Sequence, residues 1–354
     1  MESAKTRGAR RKTYTCGIEA AWTEEHSAEE AVAAIAAELD PVKIGHLLVF
    51  FSPSIQALDL SRALEAAFGN VPVSGCSTAG QICPDGFSEA GLLAVAFPKN
   101  GFRIVSKVLQ DIHGLTIERG AEVVRELRAQ LDRSAKNSRP HRFALCFIDG
   151  LSNCEEIIVS ALGWALNDIP LAGGSAGDNL LFKKTALLHN GEPHHDAALL
   201  MLVETEHVVR LFKHDNFEPA DTKLVVTASD SETRTVMELN AEPAAWEYAM
   251  ATGVDGANLS PMSFAAHPVV VRIGGDYYCR SIQKVNENGS LSFFCAIDDG
   301  VVLTLARERD MVSSAERELA GLDRGVGGID LVLGFECVLR RLDAETHQVK
   351  HRIC

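Results

Sequence analysis

The sequence predicts an α/β protein, an internally duplicated βαβ mixed-sheet amino-terminal domain followed by a mainly antiparallel α+β carboxyl-terminal domain. Three observations carry the prediction. Residues 47–77 align without gaps on residues 145–175, with eight of thirty-one pairs identical, among them Pro72/Pro170, Gly75/Gly173 and Ser77/Ser175. Each copy opens on a short, continuous apolar run, Leu47–Phe51 or Phe143–Ile148, of the kind a strand shows when both its faces are buried. From Ser260 onward the pattern turns to short apolar runs separated by Gly-Gly-Asp, Asn-Gly and Asp-Asp-Gly, which are hairpin signals.

The elements follow in order. The basic run Arg7–Lys12 precedes the first apolar segment and reads as a solvated tail, since no apolar targeting core follows it. Residues 28–39 form a leading helix. In the first copy the run 47–51 passes to a helix over 55–68, whose Leu58, Leu64, Ala67 and Phe68 fall near i, i+3, i+4 spacing, then to a strand at Val71–Val73. The second copy repeats this with a helix over 155–166 and a strand at Ile169–Leu171. Both copies then enter a Gly/Ser loop and continue into two strands, 91–97 with 103–108 and 197–203 with 207–212. A helix over 115–131 bridges the copies and 132–141 is a polar linker, so the repeats span about 45–110 and 142–214. Domain boundaries follow at 13–220 and 221–354. The second domain begins with a strand over 223–228 and a helix over 244–250; hairpins then run from His267, which opens an apolar strand, to Leu305.

Composition narrows the function. A chain of 354 residues with net charge −14 has no general excess of Lys and Arg with which to hold phosphates, which argues against nucleic acid. No apolar stretch suggests a membrane span, so a cytoplasmic protein is expected. The nine cysteines form no C-x-x-C pair and no zinc-spaced quartet, and the default reading is reduced, buried thiols.

Chemistry-bearing candidates gather where ligands sit in open α/β sheets, beyond strand ends. The two glycine loops offer Gly75, Cys76, Ser77 and Thr78 in one copy and Gly173, Gly174, Ser175 and Asp178 in the other, with backbone N–H groups free to approach a guest. Gly173-Gly174-Ser175-Ala176-Gly177 also fits the G-x-S-x-G hydrolase elbow, and Cys76 offers a thiol. An elbow requires a helix directly afterwards, which Asp178–Lys184 does not promise, so a glycine-shaped turn is the more economical account. His267 could face a dry pocket, with a core or edge histidine as the plainer alternative. Arg280 could hold a carboxylate or a haem propionate bidentately, or make a simple cross-strand ion pair. His347 and His351, four apart, are the nearest approach to a metal pair and read as terminal surface residues.

Leu48-Val49-Phe50-Phe51-Ser52-Pro53, the two glycine loops, and Cys279-Arg280-Ser281-Ile282 with Asn288-Gly289-Ser290 resemble the FIST family over about residues 13–340. The resemblance implies FIST N and FIST C domains in a sensory protein of signal transduction. Lacking a kinase, cyclase or methyl-accepting segment, the chain is more similar to the stand-alone, NosP-type subset, which implies haem b as cofactor, nitric oxide as ligand and a separate histidine kinase as partner. Carried onto this chain, His267 is the candidate for the haem iron. The expectation is a non-catalytic sensor of a two-component system, with self-association left open. The alternatives are a haem-free sensor holding an amino-acid carboxylate with the glycine loops and Arg280, or a hydrolase using Ser175 or Cys76. The family also leads one to expect a helix and further strands after Gly334–Arg340, so the second domain reads as incomplete.

Overall fold

The computed structural model describes residues 8–133 and 139–347. Its contacts divide the chain into two units: residues to Phe212 together with 326–335 form the first, and Lys213–Gly325 with the segment from Glu336 form the second. The mixed α/β architecture predicted from the sequence is the one observed.

Unit 1 opens with β1 (Arg10–Thr13) and β2 (Glu19–Thr23), followed by α1 (Ala28–Glu38), β3 (Ile44–Phe51), α2 (Ala57–Phe68) and β4 (Val73–Ser77). A small hairpin, β5 (Gln81–Cys83) and β6 (Gly86–Ser88), leads to β7 (Leu92–Pro98). Then come β8 (Phe102–Leu109), α3 (Ile117–Arg133), β9 (His141–Asp149), α4 (Glu155–Leu166) and β10 (Leu171–Ala176). A second hairpin, β11 (Leu187–His189) and β12 (Glu192–His194), precedes β13 (Ala198–Thr205). These strands form two main sheets, β1-β2-β7-β3-β4-β11-β12 and β10-β9-β13-β8, while β5 and β6 pair with each other.

The duplication is larger than the sequence alignment shows, and its boundaries move. In each copy the strand order is first, last, second, third: β2-β7-β3-β4 and β8-β13-β9-β10. The second–third pairs, β3 with β4 and β9 with β10, are parallel, and the last strand of each copy lies antiparallel between the first and second. Strand β8 therefore opens the second copy instead of closing the first, and α3 is the counterpart of α1 instead of a bridge. Residues 207–212 are irregular where a strand was expected, because the place beside β13 is already taken by β8. Of the expected linker, residues 134–138 lie outside the described residues.

The sheets face each other, which explains the unbroken apolar runs. Leu48 and Phe50 point to a core shared with Leu145 and Phe147 of the other sheet, whereas Leu47, Val49 and Phe51 pack beneath α1 and α2. Ala144, Cys146 and Ile148 pack likewise against α3 and α4, giving four layers in the order helices, sheet, sheet, helices. Helix α1 starts where the Ser27 hydroxyl accepts the Glu30 N–H at 3.2 Å. Glu204 of β13 is wholly buried and takes its counter-charge from Arg103 and Arg142, the latter at 2.7 Å. The described part of the basic run is not a tail. Residues Arg10–Thr13 pair with β2, and Arg10 bonds Glu24 and Asp85; a strand exposed along its length is held by ladder bonds and ion pairs, so no apolar pattern announces it. Arg7 lies outside the described residues.

Unit 2 is an antiparallel sheet with flanking helices. Its elements are β14 (Phe217–Asp230), β15 (Thr235–Leu239), β16 (Glu242–Pro243), α5 (Ala244–Thr252), α6 (Pro261–Ala266), β17 (Val269–Ile273), β18 (Asp276–Cys279), β19 (Ile282–Val285), β20 (Leu291–Phe293), β21 (Val302–Glu308), α7 (Met311–Val326) and α8 (Val338–Thr346). The sheet order is β18-β17-β21-β14-β15-β20-β19, with β16 on β15. His267 does not open a strand as expected. It closes α6, its N–H bonding Ser263 O at 3.0 Å, because Pro268 cannot continue the helix and β17 starts only at Val269. The helix expected near Arg340 is α8. Among the described residues no helix is long and apolar enough to cross a membrane.

Candidate functional site

The glycine segments come together, but as strands and not as loops. Gly75, Cys76 and Ser77 lie inside β4 and are buried, and Gly173, Gly174 and Ser175 lie inside β10. Glycine is required here by close approach: a Cβ on Gly75 would stand 2.0 Å from Val49 O, and one on Gly173 would stand 1.9 Å from Cys146 O. The ends of the two strands then meet, Gly177 N–H donating to Ser77 O at 3.0 Å. Several of the polar groups singled out already have partners within the chain. The Ser77 hydroxyl accepts from Ala186 N–H at 3.0 Å and the Thr78 hydroxyl from Gly80 N–H at 3.3 Å. Asp178 accepts from the amides of Phe182, Lys183 and Lys184 at 2.8, 2.5 and 3.0 Å, folding its own loop. Burial pushes the Cys76 thiol up to about 12, which leaves it inert at neutral pH. Ser175 is in mid-strand, with its hydroxyl donated to Glu155 at 3.0 Å, so no strand-to-helix elbow presents it.

Arg280 belongs to unit 2, in the break between β18 and β19. Its N–H bonds Val269 O at 2.8 Å and its guanidinium approaches Cys279 O at 3.4 Å.

His267 has a different setting. It lines a cavity of about 380 Å³ in unit 2, walled by Ala220, Ala251, Ala266 and Leu305, with Arg307 and Glu308 at its polar side. Its main chain is fixed from both directions, since its carbonyl accepts the buried Tyr248 hydroxyl at 2.7 Å and its N–H is held in α6. Its imidazole makes no hydrogen bond among the described residues. Ala220, Ala251 and Ala266 line the same cavity, and Tyr248, edge to face with Phe264 at 5.6 Å, holds the His267 backbone. Were a haem to bind here, His267 would offer a nitrogen for iron, the alanines would leave room beside the ring and Arg307 would face a propionate.

The polar side of this cavity continues into a group that sequence spacing did not reveal. Glu308, Asp343 and His347 bring their ligand atoms within 4.8 Å of one another. His347 Nδ1 stands 3.1 Å from Asp343 and 3.6 Å from Glu308. The Asp343 carbonyl and the Glu308 charge raise the imidazole above its ordinary value, whereas burial and then Asp343 raise the Glu308 carboxyl. His351, the expected partner of His347, lies outside the described residues. A larger cavity, about 460 Å³, lies in unit 1 between His26 and Glu89, at the end of β2.

Comparison with known proteins places these units. Residues 46–242 match the FIST N domain model and residues 244–353 the FIST C domain model, together covering most of the chain. The uncharacterized protein MJ1623 of Methanocaldococcus jannaschii is 24% identical over 283 residues, which is 74% of this chain and 54% of that protein. The chain thus spans about half the length of the curated relative it matches.

Proposed function

Because the chain belongs to the FIST family, whose domains are sensors of signal transduction, we propose that it is a ligand-binding sensor whose guest enters the cavity beside His267. One observation carries the reading: an imidazole anchored through its backbone yet without a hydrogen bond from its ring among the described residues, on the wall of a cavity lined by alanines, Leu305 and Arg307. The guest proposed is haem b, with His267 on the iron and Arg307 toward a propionate. Haem would supply a site for nitric oxide. The chain's own part is to present the imidazole on a helix end, exclude water with Ala220, Ala251 and Leu305, and respond through the peptide that joins α6 to β17. A signal follows only as far as ligand binds one state of this segment better than another. The output proposed is altered contact with a separate histidine kinase, with no turnover by the sensor itself.

The test is an absorption spectrum of the full chain after haem addition. A Soret band saturating at one haem per chain, shifted by nitric oxide and lost or moved in His267→Ala, is expected. No band at stoichiometric haem, or a band unchanged in His267→Ala, overturns the assignment.

A further inference from the structure

Three side chains far apart in sequence meet at one corner of unit 1, where β8 and β9 end and β13 begins. Cys154 Sγ lies 3.2 Å from His113 Nδ1, and His113 Nε2 lies 2.8 Å from Asp196 Oδ1. A nucleophile, a base in reach of it and a carboxylate orienting the base are the arrangement by which proteins activate thiols. Cys154 also stands at the N-cap of α4, whose first-turn amides favour a negative charge.

The corner is built to hold this geometry. Asn153, immediately before the cysteine, is left-handed with φ 56°, and Asp196 is left-handed with φ 47°. One buried carboxylate braces the corner: Asp149 accepts the Leu151 N–H at 3.0 Å and the Asp196 N–H at 2.6 Å, and takes a further bond from the Thr185 hydroxyl. The duplication supplies an internal control. By strand register His26 stands where His113 does, but Gln56 takes the place of Cys154 and Gly91 that of Asp196. The first copy folds this corner without the thiol or the carboxylate, so neither is demanded by the fold.

We propose that Cys154 is a reactive thiol site for small hydroperoxides, with His113 as its base and Asp196 orienting the imidazole. Cys154 is only 2% exposed, but the His113 and Asp196 side chains beside it are 62% and 59% exposed, so the corner suits a small reagent and not an acyl substrate. His113 takes the thiol proton. The thiolate attacks one peroxide oxygen, an S–O bond forming as the O–O bond breaks, and the departing hydroxide or alkoxide receives the proton from the His113 imidazolium. Sulfur is oxidised by two electrons to the sulfenic acid and the peroxide is reduced to water or alcohol. Asp149 is a positioning residue. This site is independent of the cavity at His267.

The experiment treats the reduced full chain with hydrogen peroxide, traps sulfenic acid with dimedone and maps the adducts by peptide mass spectrometry. Three other thiols of the same chain serve as references: half-buried Cys16, raised by burial, and buried Cys76 and Cys146, each pushed up to about 12. Cys154 is expected to label at least about tenfold faster than any of them. His113→Gln should abolish that advantage and Asp196→Asn should reduce it, with circular dichroism unchanged. Labelling of Cys154 no faster than Cys76 and Cys146 in the unaltered chain overturns the proposal, whatever the variants do. Equal labelling in folded His113→Gln overturns the role of the base.

Discussion

His46 sits inside β3 with neither ring nitrogen hydrogen-bonded among the described residues, and burial drives its imidazole from 6.5 down to about 3. Nearby His189 lowers it further, and the rings of His189 and His194 are themselves lowered, chiefly by burial. Since the folded value lies below the unfolded one, the unfolded chain takes up the proton first on acidification. The stability this neutral ring permits is complete above pH 6.5 and is lost as pH falls toward 3. The expected slope is about 1.4 kcal/mol per pH unit from this one group. Urea melts at pH 7 and pH 5 check it: His46→Leu should remove about one proton's worth of the acid sensitivity, and an unchanged slope would refute the assignment. Nothing in the spacing of Ile44-Gly45-His46-Leu47 marks this histidine as buried, because burial on both faces of β3 arises only when the second sheet closes over it.

At the scale of elements, the glycines carry the clearest consequence. Gly173 and Gly174 are neighbours in β10 and both looked like ligand donors, yet their surroundings differ. A Cβ on Gly173 meets Cys146 O at 1.9 Å with φ at +142°, while a Cβ on Gly174 meets nothing within 4 Å. Gly173→Ala is expected to cost at least about 3 kcal/mol in a denaturant melt, with Gly174→Ala within about 1 kcal/mol of the parent protein. Equal effects would show that β9 and β10 do not approach as closely as described. Helices α1 to α5 were legible from sequence, α4 to the residue, because amphipathic spacing is local, whereas α6 and α7 were not. The strand ends were not. Ser-Gly-Cys-Ser and Ala-Gly-Gly-Ser carry turn-forming residues whose strand conformation is imposed by the parallel partner, and the register that decides this is nonlocal. The same reason hid the Cys154–His113–Asp196 corner, whose members share no sequence spacing.

For the whole molecule, the segment 326–335 is the least expected feature. It follows α7 of unit 2 but belongs to unit 1. Leu331, Leu333 and Phe335 point into the core between the two sheets, and the Phe335 ring stands 6.3 Å from that of Phe50 and 5.6 Å from that of Phe147. Asp330 accepts the amides of Thr15 and Cys16 at 3.0 and 2.8 Å, and the Thr15 side chain, with these amides, holds its carboxyl well below the ordinary range. Phe335→Ala is expected to lower the stability of unit 1 by about 2 kcal/mol, less than for a fully buried ring. Thermal melts followed by near-ultraviolet circular dichroism would register it; a change confined to unit 2 would contradict the placement. The alternation Leu331, Leu333, Phe335 is visible in the sequence, but the core it enters is built from strands far back in the chain.

The sequence by itself determined the fold class, the βαβ kernel repeated at an offset of 98 residues, most helices and the family, because periodicity and motif spacing are local properties of the chain. Only the tertiary structure decided where each repeat begins, that the glycine segments close against each other, that His267 ends a helix beside a cavity, and that Cys154 has a base. Those facts depend on which strands pair and which faces meet, and pairing is fixed by the burial of surfaces contributed from distant parts of the chain.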